Sequence, residues 1–434
     1  MEYKTHRKKY IKAISIALFV KVISAPLAYL MFLGVARITT TEDYGLFAFG
    51  FSLILFLSRI SAFGQQKFIL KHCSSFTVGS ADWLRIVSYS YSLVSIGSCI
   101  TILTLVSFAA NQGHSTYLIF ASPLIFILAI SEVQTSILRA RGDITLAIAP
   151  QEFFWRLSIF IPSLVIWFVF KHKVSVSEVL AYMSIAAFAM IFIQMKLAGL
   201  TYQYTELKLG DLRNKNWNTS TLYYLSITVI SFGTPSLSVI IVGWAVDTEQ
   251  VGPYFAALKT SQLMQFVLIS ANLVATPLIS KFNTESDKPS IRKICQLVSA
   301  VAGTAAFIMF TVLIFFGKYT LSMFGESFEV AYAPLLILSF GFMASSFFGI
   351  NGTLLEMTGH ERIMFRIALI TNLIGLAVLF PIIHSYGILG AALVVSATTL
   401  IWNLWAWYVC LTAVEVDTSI FASLREFLTS SENK

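Results

Sequence analysis

Two short stretches with one pattern decide how this chain folds: Thr-Glu-Asp-Tyr-Gly at residues 41–45 and Thr-Glu-Gln-Val-Gly at residues 248–252. Each lies between two long apolar segments, and their starts are 207 residues apart. A second pair, at residues 138–143 and 355–360, shares a leucine at its first position and a glycine at its fifth. Repeats of this kind predict one membrane-embedded unit present twice, as in many transporters.

The composition is that of a membrane protein. Of the 434 residues, 57% are hydrophobic and 12% are charged, whereas soluble domains carry about 25% charged residues. Mean hydropathy is +0.77. The apolar segment from residue 13 to residue 36 follows a basic N-terminus and is too long for the core of a signal peptide. It is therefore predicted to be the first membrane helix.

Twelve apolar segments are long enough to cross a bilayer, which needs roughly 20 residues per helix. They are predicted to be helices because lipid offers no hydrogen-bond partner to unpaired backbone N–H and C=O groups. The sequence also lacks the alternating apolar pattern of the strands of an outer-membrane barrel. The predicted spans are 11–37, 45–64, 86–110, 117–138, 144–170, 178–200, 221–246, 254–280, 293–317, 332–355, 364–384 and 388–412.

Basic residues between the spans predict the orientation. With the N-terminus in the cytoplasm, and with residues near a span end counted on the adjoining side, 22 of the 30 Lys and Arg residues lie on the cytoplasmic side, 4 lie outside and 4 lie deeper within spans. This asymmetry predicts a multi-pass protein with both termini in the cytoplasm. The net charge of +8 is then a topology signal that faces anionic lipid, and no nucleic acid partner is expected.

The spans divide into two equal sets. We predict an N-terminal six-helix lobe at 1–200, a cytoplasmic connection at 201–220, a C-terminal six-helix lobe at 221–412 and a cytoplasmic tail at 413–434. Because six is an even number, the second lobe enters the membrane in the same direction as the first. The fold class is therefore an all-α polytopic membrane protein with about 12 transmembrane helices in two parallel-repeat lobes.

Three cations lie inside predicted spans with no carboxylate beside them in sequence. Lys21 is near the middle of helix 1, Arg59 about one turn from the cytoplasmic end of helix 2, and Lys259 one to two turns from the outer end of helix 8. Charges in a span are costly and usually face a cavity or a partner. Lys and Arg bind phosphate strongly, so the three predict a substrate-binding site for a phosphate-bearing ligand. Alternatively, Arg59 and Lys259 extend to the nearby interfaces, and Lys21 has a structural role.

A second charged group consists of Glu132 in helix 4 and of Glu152 and Arg156 in helix 5. Glu152 and Arg156 are four residues apart on one helical face, which predicts a structural ion pair. The alternative is that one carboxylate exchanges a proton or a sodium ion during transport. Glu132 is the better candidate for ion coupling because nothing on its own helix neutralises it, although Arg156 could.

Four stretches carry a family resemblance: residues 37–47, 272–282, 354–362 and 386–392. In these stretches the chain resembles the polysaccharide-transporter (Wzx-type O-antigen flippase) family of the multidrug/oligosaccharidyl-lipid/polysaccharide exporter superfamily. The resemblance implies a central cavity between the lobes, alternating access and a place in the bacterial inner membrane. The related lipid II flippases use cations in helices 1, 2 and 8, the helices that contain Lys21, Arg59 and Lys259.

The resemblance also implies the substrate. It is an undecaprenyl-pyrophosphate-linked oligosaccharide repeat unit of O-antigen or a similar polysaccharide, moved from the cytoplasmic to the periplasmic leaflet. Expected partners are this substrate, membrane lipids, and the polymerase and chain-length proteins of the same lipopolysaccharide pathway.

Two other functions remain open. A cation-coupled multidrug exporter of the same fold requires carboxylates in its lumen, and helices 1, 2, 7 and 8 have no central Asp or Glu. A membrane-embedded polysaccharide polymerase or glycosyltransferase needs catalytic groups, but the short outer connections hold no paired carboxylates, Ser-His-Asp set or metal-ligand cluster. We therefore expect a transporter and not an enzyme, with no catalytic residue, metal or cofactor.

Lys21 gives the first test. Lys21→Ala should abolish surface polysaccharide while the protein stays at normal abundance in the membrane, because the substrate loses a cation that binds its pyrophosphate. Surface polymer is measured by gel and protein abundance by blot. Normal polymer in this variant would remove Lys21 from the site.

Overall fold

The computed structural model describes residue 20 and residues 23–73, 76–111, 116–199 and 214–422. Within these ranges the chain is helical and contains no β-strand, so the predicted all-α fold is confirmed. The chain divides into two compact units, Met1–Phe232 and Gly233–Lys434.

The first unit contains short and long helices. They are α1 (Ile23–Ile38), α2 (Thr41–Ser61), α3 (Gln65–Cys73), α4 (Ala81–Asn111), α5 (Thr116–Ala121), α6 (Pro123–Arg141), α7 (Ile144–Ala149), a π-helix (Pro150–Phe154), α8 (Trp155–Val165), a second π-helix (Ile166–Phe170) and α9 (Val176–Ala198). The next helix, α10 (Lys215–Ala245), begins in the first unit and ends in the second.

The second unit continues with α11 (Thr248–Gln262), a 3₁₀-helix (Leu263–Gln265), α12 (Phe266–Thr284), α13 (Lys288–Ser322), a 3₁₀-helix (Glu326–Ala331), α14 (Tyr332–Phe348), α15 (Asn351–Met357), α16 (Glu361–Val409) and a π-helix (Cys410–Val414).

The described residues contain nine helices that are long and apolar enough to cross a membrane, or ten if the bent α10 counts as one span. At 1.5 Å per residue, α16 would be about 74 Å long, more than twice the bilayer core. Its backbone is non-helical at Gly387 (φ 56°, ψ −141°), which separates the predicted spans 364–384 and 388–412. With α1, the described end of the first predicted span, all twelve predicted segments correspond to helices.

The first repeated stretch marks a helix start in each unit. Thr41 is the first residue of α2 and Thr248 the first residue of α11. In the first unit, the Thr40 side chain accepts a hydrogen bond from the Asp43 N–H at 3.0 Å, a standard N-cap. The Asp43 carboxylate also accepts from the N–H of Val176 at 3.3 Å. The stretch therefore fixes both the start of α2 and the start of α9.

The second repeated stretch marks a helix end in each unit. Gly142 and Gly359 have φ angles of 87° and 84°, which a residue with a β-carbon adopts at a cost. In both stretches the following N–H donates to the carbonyl five residues earlier, at 2.9 Å after Gly142 and 2.8 Å after Gly359. This is a Schellman turn, so the repeat in sequence is a repeat of one backbone turn.

The boundary between the units lies inside α10. The Tyr224 backbone passes so close to Gly64 (φ +66°) that a β-carbon at Gly64 would lie 2.5 Å from it. The Gln65 side chain donates to the Thr221 hydroxyl at 3.1 Å. These contacts hold the first part of α10 in the first unit, and the helical backbone is broken at Gly233 (φ 67°, ψ 167°). The division thus falls at residues 232 and 233, whereas hydropathy places the start of the second lobe at residue 221.

One amide side chain of the second unit, that of Asn372, hydrogen-bonds to the backbone that follows the break at Gly233. Asn372 Oδ1 accepts from the Thr234 N–H at 2.7 Å and from the Thr234 hydroxyl at 3.0 Å. Its Nδ2 donates to the Ala368 carbonyl of its own helix at 2.8 Å. A broken helix persists in lipid only where such partners exist.

Residues 415–421, within the predicted cytoplasmic tail, fold back onto the second unit. The chain leaves the last π-helix at Glu415 (φ 63°), whose carboxylate is 2.7 Å from Lys288 Nζ. This hydrogen bond lowers the pKa of Glu415. Thr418 and Ser419 are fully buried, and the Ser299 hydroxyl donates to the Thr418 carbonyl. Residues 423–434 of the predicted tail lie outside the described residues.

Asp417 organises this turn. Its Oδ1 accepts from Trp407 Nε1 at 2.9 Å, from the Ser419 N–H at 2.9 Å and from the Ser419 hydroxyl at 2.7 Å. Three donors on one carboxylate oxygen join the end of α16 to the returning chain.

Asp417→Ala should lower the stability of the purified protein by about 2 kcal/mol, because hydrogen bonds to a charged acceptor contribute most among such bonds. The measurement is the midpoint of thermal unfolding in detergent, monitored as the loss of the monodisperse peak in size-exclusion chromatography. Asp417→Asn, which keeps an oxygen acceptor, should retain part of the stability. Glu415→Ala is the control and should change the midpoint little, because its ion pair is exposed. Equal midpoints for Asp417→Ala and the unaltered protein would contradict this role.

Candidate functional site

Lys21 lies outside the described residues. The other five predicted site residues are described: Arg59, Glu132, Glu152 and Arg156 in the first unit, and Lys259 in the second.

Arg59 and Glu132 form an ion pair between α2 and α6. Nη2 of Arg59 lies 3.5 Å from Oε1 of Glu132, and 46% of the arginine side chain and 17% of the glutamate side chain are exposed. The expectation that Arg59 has no carboxylate partner is therefore wrong. Glu132 is paired with Arg59 and not with Arg156. The partners are 73 positions apart in the sequence, so periodicity gives no indication of this contact.

Both partners of the pair lie within candidate membrane spans, Thr41–Cys73 and Thr116–Arg141. The sequence places Arg59 about one turn from the end of its helix, but the chain continues through a short break at Phe63 and Gly64 into α3. The whole segment Thr41–Cys73 is one candidate span. Glu132 lies nine residues before the end of α6 at Arg141, about 13 Å along the helix. Arg59 itself lies in the last turn of α2, two residues before the end of this helix at Ser61.

Glu152 and Arg156 form the ion pair that their spacing predicts, at 2.7 Å, with 19% and 22% of the side chains exposed. Nη1 of Arg156 also donates to the Ser24 carbonyl of α1 at 2.5 Å. This arginine therefore joins α8 to α1 as well as holding Glu152.

Glu152 belongs to the π-helix Pro150–Phe154, a feature that sequence reasoning missed. Pro150 has no N–H for the Leu146 carbonyl four residues earlier, and Gln194 Nε2 of α9 donates to this carbonyl at 2.7 Å. The Thr135 hydroxyl of α6 donates to the Ala147 carbonyl at 3.3 Å. The sequence offers two signals for it: a proline inside one apolar span, Pro150, and a glutamine inside the next, Gln194. π-turns occur often at functional sites.

A small crevice opens beside this π-helix, between α6, α8 and α9. Most of its lining is apolar, and its polar groups come from Ser131, Gln151, Trp155 and Gln194. The enclosed volume of about 20 Å³ has room for about one water molecule, so the crevice does not hold an oligosaccharide repeat unit.

Lys259 lies on α11, eleven residues after its start at Thr248. This is about 16 Å along the helix, so Lys259 is about three turns from the helix start and lies in the last turn of α11. Its Nζ donates to Gln262 Oε1 at 3.3 Å and lies 5.1 Å from the centroid of the Phe255 ring, a cation–π distance.

The signs of the charges in four predicted spans are uneven. Among the described residues of α1, α2, α10, α11 and α12, the acidic side chains are Glu42, Asp43 and Glu249. All three lie in the first turn of a helix. The interiors of helices 1, 2, 7 and 8 of the sequence analysis thus supply cations and no carboxylate within the described ranges.

Solved transporters share this fold. Lipid II flippase MurJ in an inward closed conformation matches with a TM-score of 0.71 at 16% identity, covering 97% of this chain and 92% of that chain. An inward-facing multidrug resistance MATE family transporter of the MOP superfamily matches at 0.69 and 14%, covering 93% and 99%. A MOP superfamily transporter from Pyrococcus furiosus, described by the reverse polarity of its binding pocket, matches at 0.61 and 13%, covering 93% and 96%. No family model and no curated protein sequence matches the chain.

Gln194→Leu should destabilise the first unit by about 1–3 kcal/mol, because it leaves the Leu146 carbonyl without a donor. The thermal midpoint in detergent measures the effect. Pro150→Ala supplies an N–H to the same carbonyl, so the double variant should recover most of the loss. Additive effects of the two substitutions would show that Gln194 does not serve this carbonyl.

Proposed function

We propose that the protein is a flippase that moves undecaprenyl-pyrophosphate-linked oligosaccharide repeat units from the cytoplasmic to the periplasmic leaflet of a bacterial inner membrane. The fold supports a membrane transporter, because its structural neighbours are a lipid II flippase and MATE transporters. The family resemblance of the sequence supports the polysaccharide substrate.

The proposal rests on the position and the contacts of Arg59. This arginine lies in the last turn of α2, within the candidate span Thr41–Cys73, and its half-exposed side chain is held by one long ion pair. A guanidinium has five N–H donors, and a single contact at 3.5 Å leaves most of them available. Arginine binds phosphate oxygens through two parallel hydrogen bonds. A pyrophosphate headgroup fits such a group better than an uncharged lipid does.

Lys21 and Lys259 complete the proposed site. Their ammonium groups would bind further oxygens of the pyrophosphate, while the polyprenyl tail stays in the bilayer and the sugars occupy a central cavity. Alternating access would then expose the headgroup to the periplasm. A membrane potential can bias this step, since one charge moved across 100 mV corresponds to about 2.3 kcal/mol.

A cation-coupled multidrug exporter is the second candidate, favoured by the structural similarity to a multidrug resistance MATE transporter. Binding of an organic cation requires carboxylates, and the described interiors of α1, α2 and α10–α12 have none. Efflux of a cationic dye by proteoliposomes would support this candidate against the flippase.

Leaflet accessibility of a fluorescent lipid-linked oligosaccharide in proteoliposomes tests the flippase. The unaltered protein should make the lipid accessible, and Arg59→Ala should slow this by at least about tenfold because it removes charged hydrogen bonds to phosphate. Lys259→Ala should also slow transport, and Arg59→Lys should restore part of the rate. Lys281→Ala, which changes an exposed cation near the end of α12, is the matched control. Equal rates with and without the protein would rule out the flippase.

A further inference from the structure

The two ion pairs of the first unit differ in kind. Glu152 and Arg156 are neighbours on one helical face, 2.7 Å apart, and Arg156 has a second bond to the Ser24 carbonyl. Arg59 and Glu132 come from two helices and are 3.5 Å apart. The first pair is fixed by the helix that contains both partners, whereas the second can separate by a rotamer change of either side chain.

The Arg59–Glu132 contact uses little of either group. One nitrogen of the guanidinium faces one oxygen of the carboxylate, at a distance beyond that of a strong charge-assisted hydrogen bond, about 2.7–2.9 Å. Nearly half of the arginine side chain is exposed, against 17% of the glutamate. Arg59 is thus the accessible partner and Glu132 the more enclosed one. An incoming anion would reach the arginine from its exposed side.

A carboxylate and a phosphate compete for the same donors. Both are oxygen anions that accept from the guanidinium fork. An arginine with no counter-ion inside a span is costly, and so is a lone glutamate. A resident carboxylate therefore stabilises the empty site and opposes the bound state.

We propose that Glu132 is the resident anion of the Arg59 phosphate site, displaced by the phosphate of the substrate and returning to Arg59 when the substrate leaves. This inference rests on the proposed function and assigns Glu132 a positioning role within it. It predicts that Glu132 weakens binding of the phosphate ligand and speeds its release.

Binding of farnesyl pyrophosphate to the full-length protein in nanodiscs tests the inference, together with the turnover of the leaflet assay. Glu132→Gln removes the competing charge at equal size and should tighten binding roughly fivefold, the upper value for a half-exposed pair. Turnover should fall, because release is slower. A purely structural carboxylate would not give tighter binding with lower turnover. Glu132→Asp keeps the charge and should bind nearly as the unaltered protein does.

Glu152→Gln is the matched control, because it neutralises a carboxylate of similar exposure in the same unit. It should not tighten binding. Glu132→Met, also uncharged and of similar length, should reproduce the gain and covers the case in which Glu132→Gln does not fold.

The outcomes separate this inference from the proposed function. If the unaltered protein binds farnesyl pyrophosphate, Arg59→Ala loses this binding and both uncharged Glu132 variants bind no tighter, the resident-anion role is overturned and the flippase stands. If the unaltered protein binds farnesyl pyrophosphate no better than farnesol, and Arg59→Ala changes nothing, the proposed function fails. Tighter binding by the uncharged Glu132 variants alone supports the inference.

Discussion

The structure depends on one constraint: a backbone N–H or C=O inside a bilayer must find its partner within the protein. At three breaks within the described helices, an amide side chain supplies that partner. Asn372 binds the amide that follows Gly233, and Gln194 binds the carbonyl that Pro150 leaves open. After the break between α14 and α15, the Asn351 side chain accepts from the next N–H at 2.7 Å. The break at Gly233 lies at the boundary of the two units. The break at Pro150 begins the π-helix that contains Glu152.

Charged side chains inside the bilayer must likewise find partners within the protein. Within the described part of the first unit, the membrane-embedded cations Arg59 and Arg156 are balanced by Glu132 and Glu152. Arg59 and Arg156 are therefore not bare cations, which would be costly inside a span. A paired arginine can still bind an anion, provided that the pair is loose enough to open. The difference between a pair at 3.5 Å across helices and a pair at 2.7 Å along one helix then separates an exchangeable charge from a structural one.

Sequence reasoning gave those features that depend on local periodicity. Apolar length predicted the twelve helical segments, the two repeated stretches marked helix starts and helix ends, and the spacing of Glu152 and Arg156 matched an ion pair. It could not find features that depend on contacts between distant residues. Arg59 and Glu132 meet only through the packing of α2 on α6. The division at Gly233 follows from which helices the first part of α10 contacts, and hydropathy carries no information about this.

The fold by itself does not select the substrate. It is shared with a lipid II flippase, a multidrug transporter and a transporter described by reversed polarity of its pocket. What differs within one fold is the sign of the charges that the helix interiors present to a ligand. An organic cation needs an acidic interior, and a lipid pyrophosphate needs a basic one. In this chain, Arg59 and Lys259 lie in the last turns of α2 and α11, within the candidate spans Thr41–Cys73 and Thr248–Thr284, whereas the acidic residues of both helices lie in their first turns. The sign of these two charges is the reason why we propose an anionic headgroup and not a cationic drug.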